Sequence, residues 1–164
     1  MFRRLVPVAL SLLLAACATP QSLKPGASIE EARSTIPRPS SEMRLPDGGS
    51  RLQYSGQPFM QSVLNADFDA QGRLRNVEEM MRDEAFAKVR SGRDTQADVL
   101  REFGPPADTF HYRLVNETAF MYRYYTHGGF PAAMFIYFDP ATGIVKRTET
   151  GLDPWSIKDG GRDQ

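Results

Sequence analysis

The sequence predicts an α+β fold built from two tandem repeats, each a short helix or helix–loop–helix followed by an antiparallel three-stranded sheet. Two observations support this prediction. A helix-start pattern occurs at 26–39 and again at 92–106, and a tight-turn pattern occurs at 68–74 and again at 138–144. Both patterns appear in the same order at nearly the same spacing, as expected when one structural unit is repeated along a chain.

The helix of each repeat is predicted from its capping residues. Ser28 with Glu31, and Thr95 with Asp98, have the spacing of an N-cap and the third residue of a helix. Prolines after position 36 end the first helix, and the Gly-Pro-Pro run at 104–106 ends the second. The segment 79–90 has one apolar face and predicts a further helix, so that the second repeat begins as a helix–turn–helix.

The strands are predicted from runs of aromatic and β-branched residues bounded by turn residues. The predicted strands are 51–54, 62–68 and 74–78 in the first repeat, and 120–125, 133–138 and 144–149 in the second. The sequence leaves open whether the two sheets pair edge to edge as one continuous sheet.

The start of the chain has the three parts of a secretory signal. Arg3 and Arg4 form a basic start, an apolar run follows at 5–14, and small residues lead to the only cysteine, Cys17. The apolar run is about ten residues long, too short to cross a ~30 Å hydrocarbon core. An ordinary signal peptide with an incidental cysteine is the alternative interpretation.

The end of this segment resembles a lipobox, the processing signal of bacterial lipoproteins, formed here by Leu14, Ala15, Ala16 and Cys17. The resemblance implies cleavage before Cys17 and its acylation, with chains such as palmitate, so that membrane lipid is a partner of the mature chain. Position 18 is Ala rather than Asp, which by the sorting rule of enterobacterial lipoproteins implies the outer membrane, facing the periplasm. We therefore divide the chain into signal peptide 1–16, lipidated tether 17–25, first repeat 26–79, second repeat 80–155 and flexible tail 156–164.

Composition and motifs argue against several classes of function. The chain has 20 basic and 20 acidic residues and no basic stripe, so it does not resemble a nucleic-acid-binding protein. It has no Ser-His-Asp set, paired catalytic carboxylates or phosphate loop, and His111 and His127 lack metal-ligand spacing. Asp67 and Asp69 fit a turn better than a calcium loop. We expect a non-catalytic protein without a cofactor or metal.

Exposed aromatic residues are the best candidates for contact with a partner protein, because tyrosine and tryptophan are enriched at interfaces. The candidates are Tyr122, Tyr124 and Trp155. Trp155, the only tryptophan, is interpreted either as a cap over the open end of the core or as a contact anchor.

The second repeat, from about position 86 to 149, resembles the SmpA/OmlA (BamE-like) family of outer-membrane lipoproteins. The matching residues are Gly92, Thr95, Val99, Phe103, Gly104, Pro106, the strand at 120–125, Phe138, Asp139, Gly143, Ile144 and Val145. The resemblance implies a non-catalytic scaffold of the cell envelope, with the β-barrel assembly machinery or another envelope protein as partner. Two such units in one chain also resemble β-lactamase inhibitor proteins, which implies as an alternative a lipid-anchored binder or inhibitor of a periplasmic protein.

Overall fold

The computed structural model describes residues 19–159, with the side chains of 19–156. Cys17 and the rest of the predicted lipobox lie outside this range, as do 160–164. The described chain is α+β and contains two four-stranded antiparallel sheets with few, short helices.

The first unit places one helix on a four-stranded sheet. After a 3₁₀ turn at Pro20–Ser22, helix α1 (Ile29–Thr35) precedes strands β1 (Ser41–Arg44), β2 (Ser50–Ser55), β3 (Val63–Phe68) and β4 (Leu74–Glu79), which pair in chain order. Apolar side chains of α1 pack on one face of this sheet, because alternate residues of β2 and β3 point to that face. The buried residues of this cluster are Ala27, Ile29, Ala32, Ile36, Leu52, Ala66, Phe68 and Leu74.

The second unit repeats this order with more helix. Helices α2 (Asp83–Phe86) and α3 (Gln96–Phe103) precede strands β5 (Asp108–Tyr112), β6 (Glu117–Tyr125), β7 (Pro131–Phe138) and β8 (Val145–Leu152), again paired in chain order. Helix α4 (Pro154–Asp159) follows and extends into the segment 156–164 that we predicted to be a flexible tail.

The prediction of three-stranded sheets was wrong, because each sheet has an additional first strand, β1 or β5. Both are edge strands of four or five residues with mostly half-exposed or exposed side chains, so neither carries the apolar alternation that reveals a strand.

The structure also shows whether the two sheets are continuous. Within 19–159 the strands form two separate sheets and not one continuous sheet.

The predicted helix at 79–90 is a single turn, α2, because the preceding residues extend the first sheet. The N–H of Met80 donates to the carbonyl of Val63 at 2.8 Å, and the Glu79 carboxylate accepts from the N–H groups of Val63 and Met81. These bonds hold residues 79–81 in extended backbone, so the helix begins only at Asp83 and not at position 79.

The repeated sequence patterns contact each other in the structure. In each unit the helix start is hydrogen-bonded to the last hairpin turn: the N–H of Ile29 donates to Gly72, and that of Gln96 donates to Gly143, both at 2.9 Å. Both glycines have positive φ, near 70°, and both sheets have a bulge just before the turn. The helix-start and turn patterns therefore recur together because they form one hydrogen-bonded motif.

The two units stack, with α3 between the sheets. The face of the first sheet opposite α1 carries Gln53 and Asn65, and the Asn65 amide donates to the carbonyl of Glu102 at the end of α3, at 2.8 Å. The other side of α3 presents Val99 and Phe103 to the apolar core formed with the second sheet. The layers are α1, first sheet, α2 and α3, second sheet.

Candidate interaction surfaces

Two of the three predicted contact residues lie inside the protein. Tyr122 and Tyr124 have no exposed surface, because these alternate positions of β6 face α2 and α3. The hydroxyl of Tyr122 donates to the carbonyl of Gly104 and that of Tyr124 to Asp83, each at 2.8 Å. Burial raises the pKa of both phenols. They are core residues, and their assignment as partner contacts is corrected.

Trp155, the third predicted residue, lies at the surface. Its indole is 37% exposed, stacks on the guanidinium of Arg123 at 4.6 Å and meets the ring of Phe59 edge-on at 6.3 Å. Trp155 therefore covers a buried charge and also presents an exposed edge to solvent.

Arg123 joins three segments beneath this tryptophan. Its Nε and Nη2 atoms donate to the Asp153 carboxylate at 2.8–3.0 Å, and Nη1 donates to the carbonyl of Pro58 at 2.7 Å. Asp153 is fully buried, and although burial opposes its ionisation, Arg123 keeps the pKa of Asp153 below its usual range. The pair fixes the loop after β2 and the start of α4 against the second sheet.

Gln57 holds the same loop on the edge of β6. Strand β5 pairs with β6 only as far as Met121. At Arg123, the Gln57 amide takes the place of a further strand residue: Nε2 donates to the Arg123 carbonyl at 2.6 Å, and Oε1 accepts from its N–H at 3.3 Å. A loop of the first unit thereby provides hydrogen-bond partners for backbone groups of β6 that no neighbouring strand pairs with.

Six of the ten large exposed apolar residues in the described part of the chain lie where these loops meet, and we call this group the apolar tip. It consists of Phe59, Met60, Tyr125, Phe130, Leu152 and Trp155, of which Phe59, Phe130 and Leu152 are 81%, 72% and 74% exposed. Phe59 and Met60 lie in the loop after β2, and the others lie at the same end of β6, β7 and β8. Large exposed apolar side chains gathered at one end of a molecule make that end a candidate interaction site.

Hydrogen bonds hold the tip loops in place. The turn before Phe130 is closed by the N–H of Thr126 donating to the Phe130 carbonyl at 3.0 Å, and by the Phe130 N–H donating to the Thr126 hydroxyl. Asp83 accepts from the N–H of His127 at 2.8 Å, which ties the turn to α2. The exposed side chains are therefore carried by a fixed backbone.

A second aromatic surface covers the outer face of the second sheet, and we call it the aromatic face. It consists of Phe110, Tyr112, Phe135 and Tyr137, with ring centroids 6.0–6.4 Å apart. Arg147 lies over Tyr137 at 3.6 Å and bonds Glu117 at 2.6 Å, and with Lys146 it lowers the pKa of that carboxyl. Only Tyr112 among the four is classed as exposed, so the rings of this face bury much of one another's surface.

A cleft of about 420 Å³ lies between β4, α2 and α3. Its rim charges pair with one another: Lys88 with Glu78 at 3.0 Å, Arg90 with Asp94 at 2.7 Å, and Arg101 with Asp98 at 2.7 Å. A charged ligand would have to displace these pairs, so the cleft is a weaker candidate than the tip.

The turn aspartates and His111 are engaged in structural contacts. Asp67 pairs with Arg51, and Asp69 accepts from N–H groups of its own turn. His111 contacts Thr118, and His127 is 91% exposed and 3.9 Å from Glu84. Within 19–159 no group of three His, Cys, Asp or Glu residues is arranged to hold a metal ion. No helix in this range is long and apolar enough to cross a membrane.

Most tip residues were missed at the sequence level although a signal was present. Phe59 follows a proline, Phe130 lies between Gly129 and Pro131, and Leu152 lies between Gly151 and the Asp-Pro pair at 153–154. Large apolar residues beside glycine and proline lie in turns or at strand ends, where the sheet and helices do not bury them, and this property singles out these positions.

No protein-family model, curated protein or solved structure matches this chain.

Proposed function

We propose that this chain is a membrane-anchored periplasmic lipoprotein that acts as a non-catalytic protein-binding scaffold in outer-membrane assembly or envelope integrity. The observation that carries the proposal is the apolar tip, because six large apolar side chains at one end of the molecule leave surface that a protein partner would bury. Burial is worth about 25 cal/mol per Å² of apolar area.

The proposed anchor is acylated Cys17. The described chain begins two residues later, at Thr19, and Leu23 packs against the first core cluster. A lipid on Cys17 would therefore hold the folded unit close to the membrane surface. Each acyl methylene buried in the bilayer contributes about 0.8 kcal/mol, so several chains suffice for stable anchoring.

We further propose membership of the SmpA/OmlA (BamE-like) family. Support comes from the matching residues of the second repeat, which have a common structural role. Gly92 donates its N–H to Val145 at 2.7 Å, Thr95 caps α3, and Gly143 accepts from α3. These residues argue for a shared fold more than for a shared partner.

The alternative is a lipid-anchored binder or inhibitor of a periplasmic protein. The aromatic face favours it through Tyr112, the most exposed ring of that face, because tyrosine is enriched at the contacts that dominate protein interfaces. The two separate sheets count against it, because the inhibitor architecture would use one continuous concave sheet across both units.

The proposal is tested by affinity purification of the tagged full chain from detergent-solubilised outer membranes, with Cys17→Ala as control. Recovery of the β-barrel assembly core, reduced in the control, is the expected result. Recovery of a single different periplasmic protein would favour the alternative function. Recovery of no envelope protein from either sample would contradict both.

A further inference from the structure

We propose that Met60 is a reversible oxidation site, at which a peroxide turns an apolar side chain of the tip into a polar sulfoxide while the methionines of the core stay reduced. The site itself rests on the exposure of the six described methionines. Its effect on a bound partner rests on the proposed function.

The six described methionines differ widely in exposure. Met60 is 64% exposed, and Met43 on strand β1 is half-buried. Oxidation follows access to the sulfur, so a peroxide in water reaches Met60 before it reaches the core. Four methionines of the core are only 1–7% exposed, namely Met80, Met81, Met121 and Met134.

The loop that carries Met60 is closed by its own backbone. The N–H of Gly56 donates to the carbonyl of Ser62 at 2.9 Å, and the N–H of Met60 donates to the carbonyl of Gly56 at 2.8 Å. A Cβ atom added at Gly56 would come within 2.6 Å of the Met60 Cβ, so the base of this side chain lies directly over Gly56. Because most of Met60 is nonetheless exposed, oxygen can be added to its sulfur without opening the loop.

The reaction needs only the thioether and a two-electron oxidant. The Met60 sulfur attacks one oxygen of hydrogen peroxide, the O–O bond breaks and an S–O bond forms. The proton of the transferred hydroxyl passes to the leaving hydroxide, which becomes water. A dithiol reductant, such as a methionine sulfoxide reductase, returns the sulfoxide to the thioether and is itself oxidised to a disulfide, while the oxygen leaves as water.

Oxidation changes the surface of the tip and leaves its backbone in place. A sulfoxide is polar, and methionine sulfoxide disrupts contacts in which a thioether was buried. Gln57 and the carbonyl of Pro58, in the same loop, stay bonded to Arg123. If the tip binds protein as proposed, oxidation of Met60 weakens that contact and reduction restores it.

Peptide mass spectrometry of the full chain tests the site. Hydrogen peroxide is added to the folded chain and to the chain unfolded in urea, and the sulfoxide at each methionine is followed with time. In the folded chain we expect Met60 to react roughly tenfold or more faster than each of the four buried methionines, a difference that urea abolishes. A folded-state rate at Met60 that is no higher than that of a buried methionine, or that rises as steeply in urea as theirs, would overturn the proposal.

Reversal is tested on the same oxidised chain without denaturant. Methionine sulfoxide reductases of both stereospecificities are added with dithiothreitol, and we expect Met60 to regain the mass of its thioether. Met60→Leu is the matched variant, which should lose the first sulfoxide and keep the rates at the other methionines. Persistence of the Met60 sulfoxide would overturn its reversibility, and loss of the far-UV circular dichroism signal at one oxygen per chain would show that Met60 supports the fold.

The effect on binding is scored separately by affinity purification from membranes. We expect recovery of the co-purifying envelope protein to fall roughly threefold or more after oxidation of the wild type and to return after reduction, while Met60→Leu does not respond to peroxide. Equal recovery with the oxidised and reduced wild type would contradict the effect on binding. Recovery of no envelope protein with the reduced chain would contradict the proposed function, and the oxidation rates would still decide the site.

Discussion

Arg123 and Asp153 show how a single buried ion pair can position an exposed surface. Removing one partner of such a pair leaves the other charge buried without compensation, which costs about 3–5 kcal/mol. Here the pair also supports Trp155 and the carbonyl of Pro58. The shape of the tip therefore depends on residues that no partner would touch.

We expect Asp153→Ala to lower the free energy of unfolding by about 3 kcal/mol at pH 7. Urea denaturation followed by circular dichroism measures this change. Because Arg123 depresses the pKa of Asp153, the stabilisation is present above the unfolded pKa, about 4, and is lost as pH falls through the lower folded value. Glu30→Ala is the control, since its pair with Arg33 is exposed and 3.9 Å long. An equal effect of the two variants would contradict the assignment.

Asp98 makes a second pH-dependent contribution at the residue scale. Its carboxylate accepts from the Thr95 hydroxyl and N–H and from Arg101, which lowers the pKa of Asp98 to about 2. Among the described residues of the first unit, only the Ser28 half of this capping box is present. The two helix caps thus share residue spacing but differ in electrostatics.

We expect Asp98→Ala to cost about 1 kcal/mol at pH 7, a typical value for a lost cap. The folded pKa is depressed, so the difference from wild type is full above about pH 4. It shrinks toward zero as pH falls to about 2. Urea titrations at pH 7 and pH 3 measure it, with Glu31→Ala as the matched variant. A difference that grows at pH 3 would exclude the carboxylate as the stabilising group.

At the scale of elements, the repeat and six of the eight strands could be predicted, whereas the faces of β6 could not. All but one of its nine residues are buried, so apolar and polar residues do not alternate along it. Tyr122 and Tyr124 therefore looked no different from residues of the outer face. Burial on the second side of β6 depends on Phe110, Phe135 and the loop with Gln57, which local sequence does not specify.

The contact of Gln57 with the edge of β6 can be tested directly, because this one side chain forms both hydrogen bonds to the Arg123 backbone that a neighbouring strand would otherwise form. We expect Gln57→Ala to speed hydrogen exchange of the Arg123 N–H about fivefold, equivalent to a net hydrogen bond of ~1 kcal/mol. Exchange measured by NMR at residue resolution tests this, and Gln71→Ala, in an exposed turn, is the control. Unchanged exchange at Arg123 in Gln57→Ala would contradict the edge role.

At the scale of the whole molecule, the two units are joined by buried polar contacts. Arg51 bonds Asp67 at 2.6 Å and Glu102 at 2.9 Å, and hydrogen bonds to both acids outweigh its burial and raise the pKa of Arg51. Gln53 and Asn65 donate to carbonyls at the end of α3. Polar contacts of this kind do not show in hydrophobic periodicity, so the stacking of the units could not be predicted from sequence.

We expect the units to unfold together in the wild type, so that far-UV circular dichroism and Trp155 fluorescence give coincident urea transitions. Asn65→Leu removes the 2.8 Å hydrogen bond to the Glu102 carbonyl and the 3.0 Å bond from the Gln53 amide, so that both groups keep only the longer bonds of Gln53 to α3, at 3.3–3.5 Å. It should cost about 2 kcal/mol and separate the two transitions. Leu114→Ser, in a fully exposed hairpin, is the control. Coincident transitions in Asn65→Leu at wild-type stability would contradict the coupling.

The central claim is that the apolar tip is the surface that binds a protein. The most direct test compares two double variants in one affinity purification from membranes: Phe59→Ser with Phe130→Ser in the tip, and Leu114→Ser with Val115→Ser in the exposed β5–β6 hairpin at the opposite end. Both remove exposed apolar side chains, so both should remain folded. We predict at least a tenfold loss of the co-purifying envelope protein from the tip variant and wild-type recovery from the hairpin variant. Equal recovery from the two would contradict the claim.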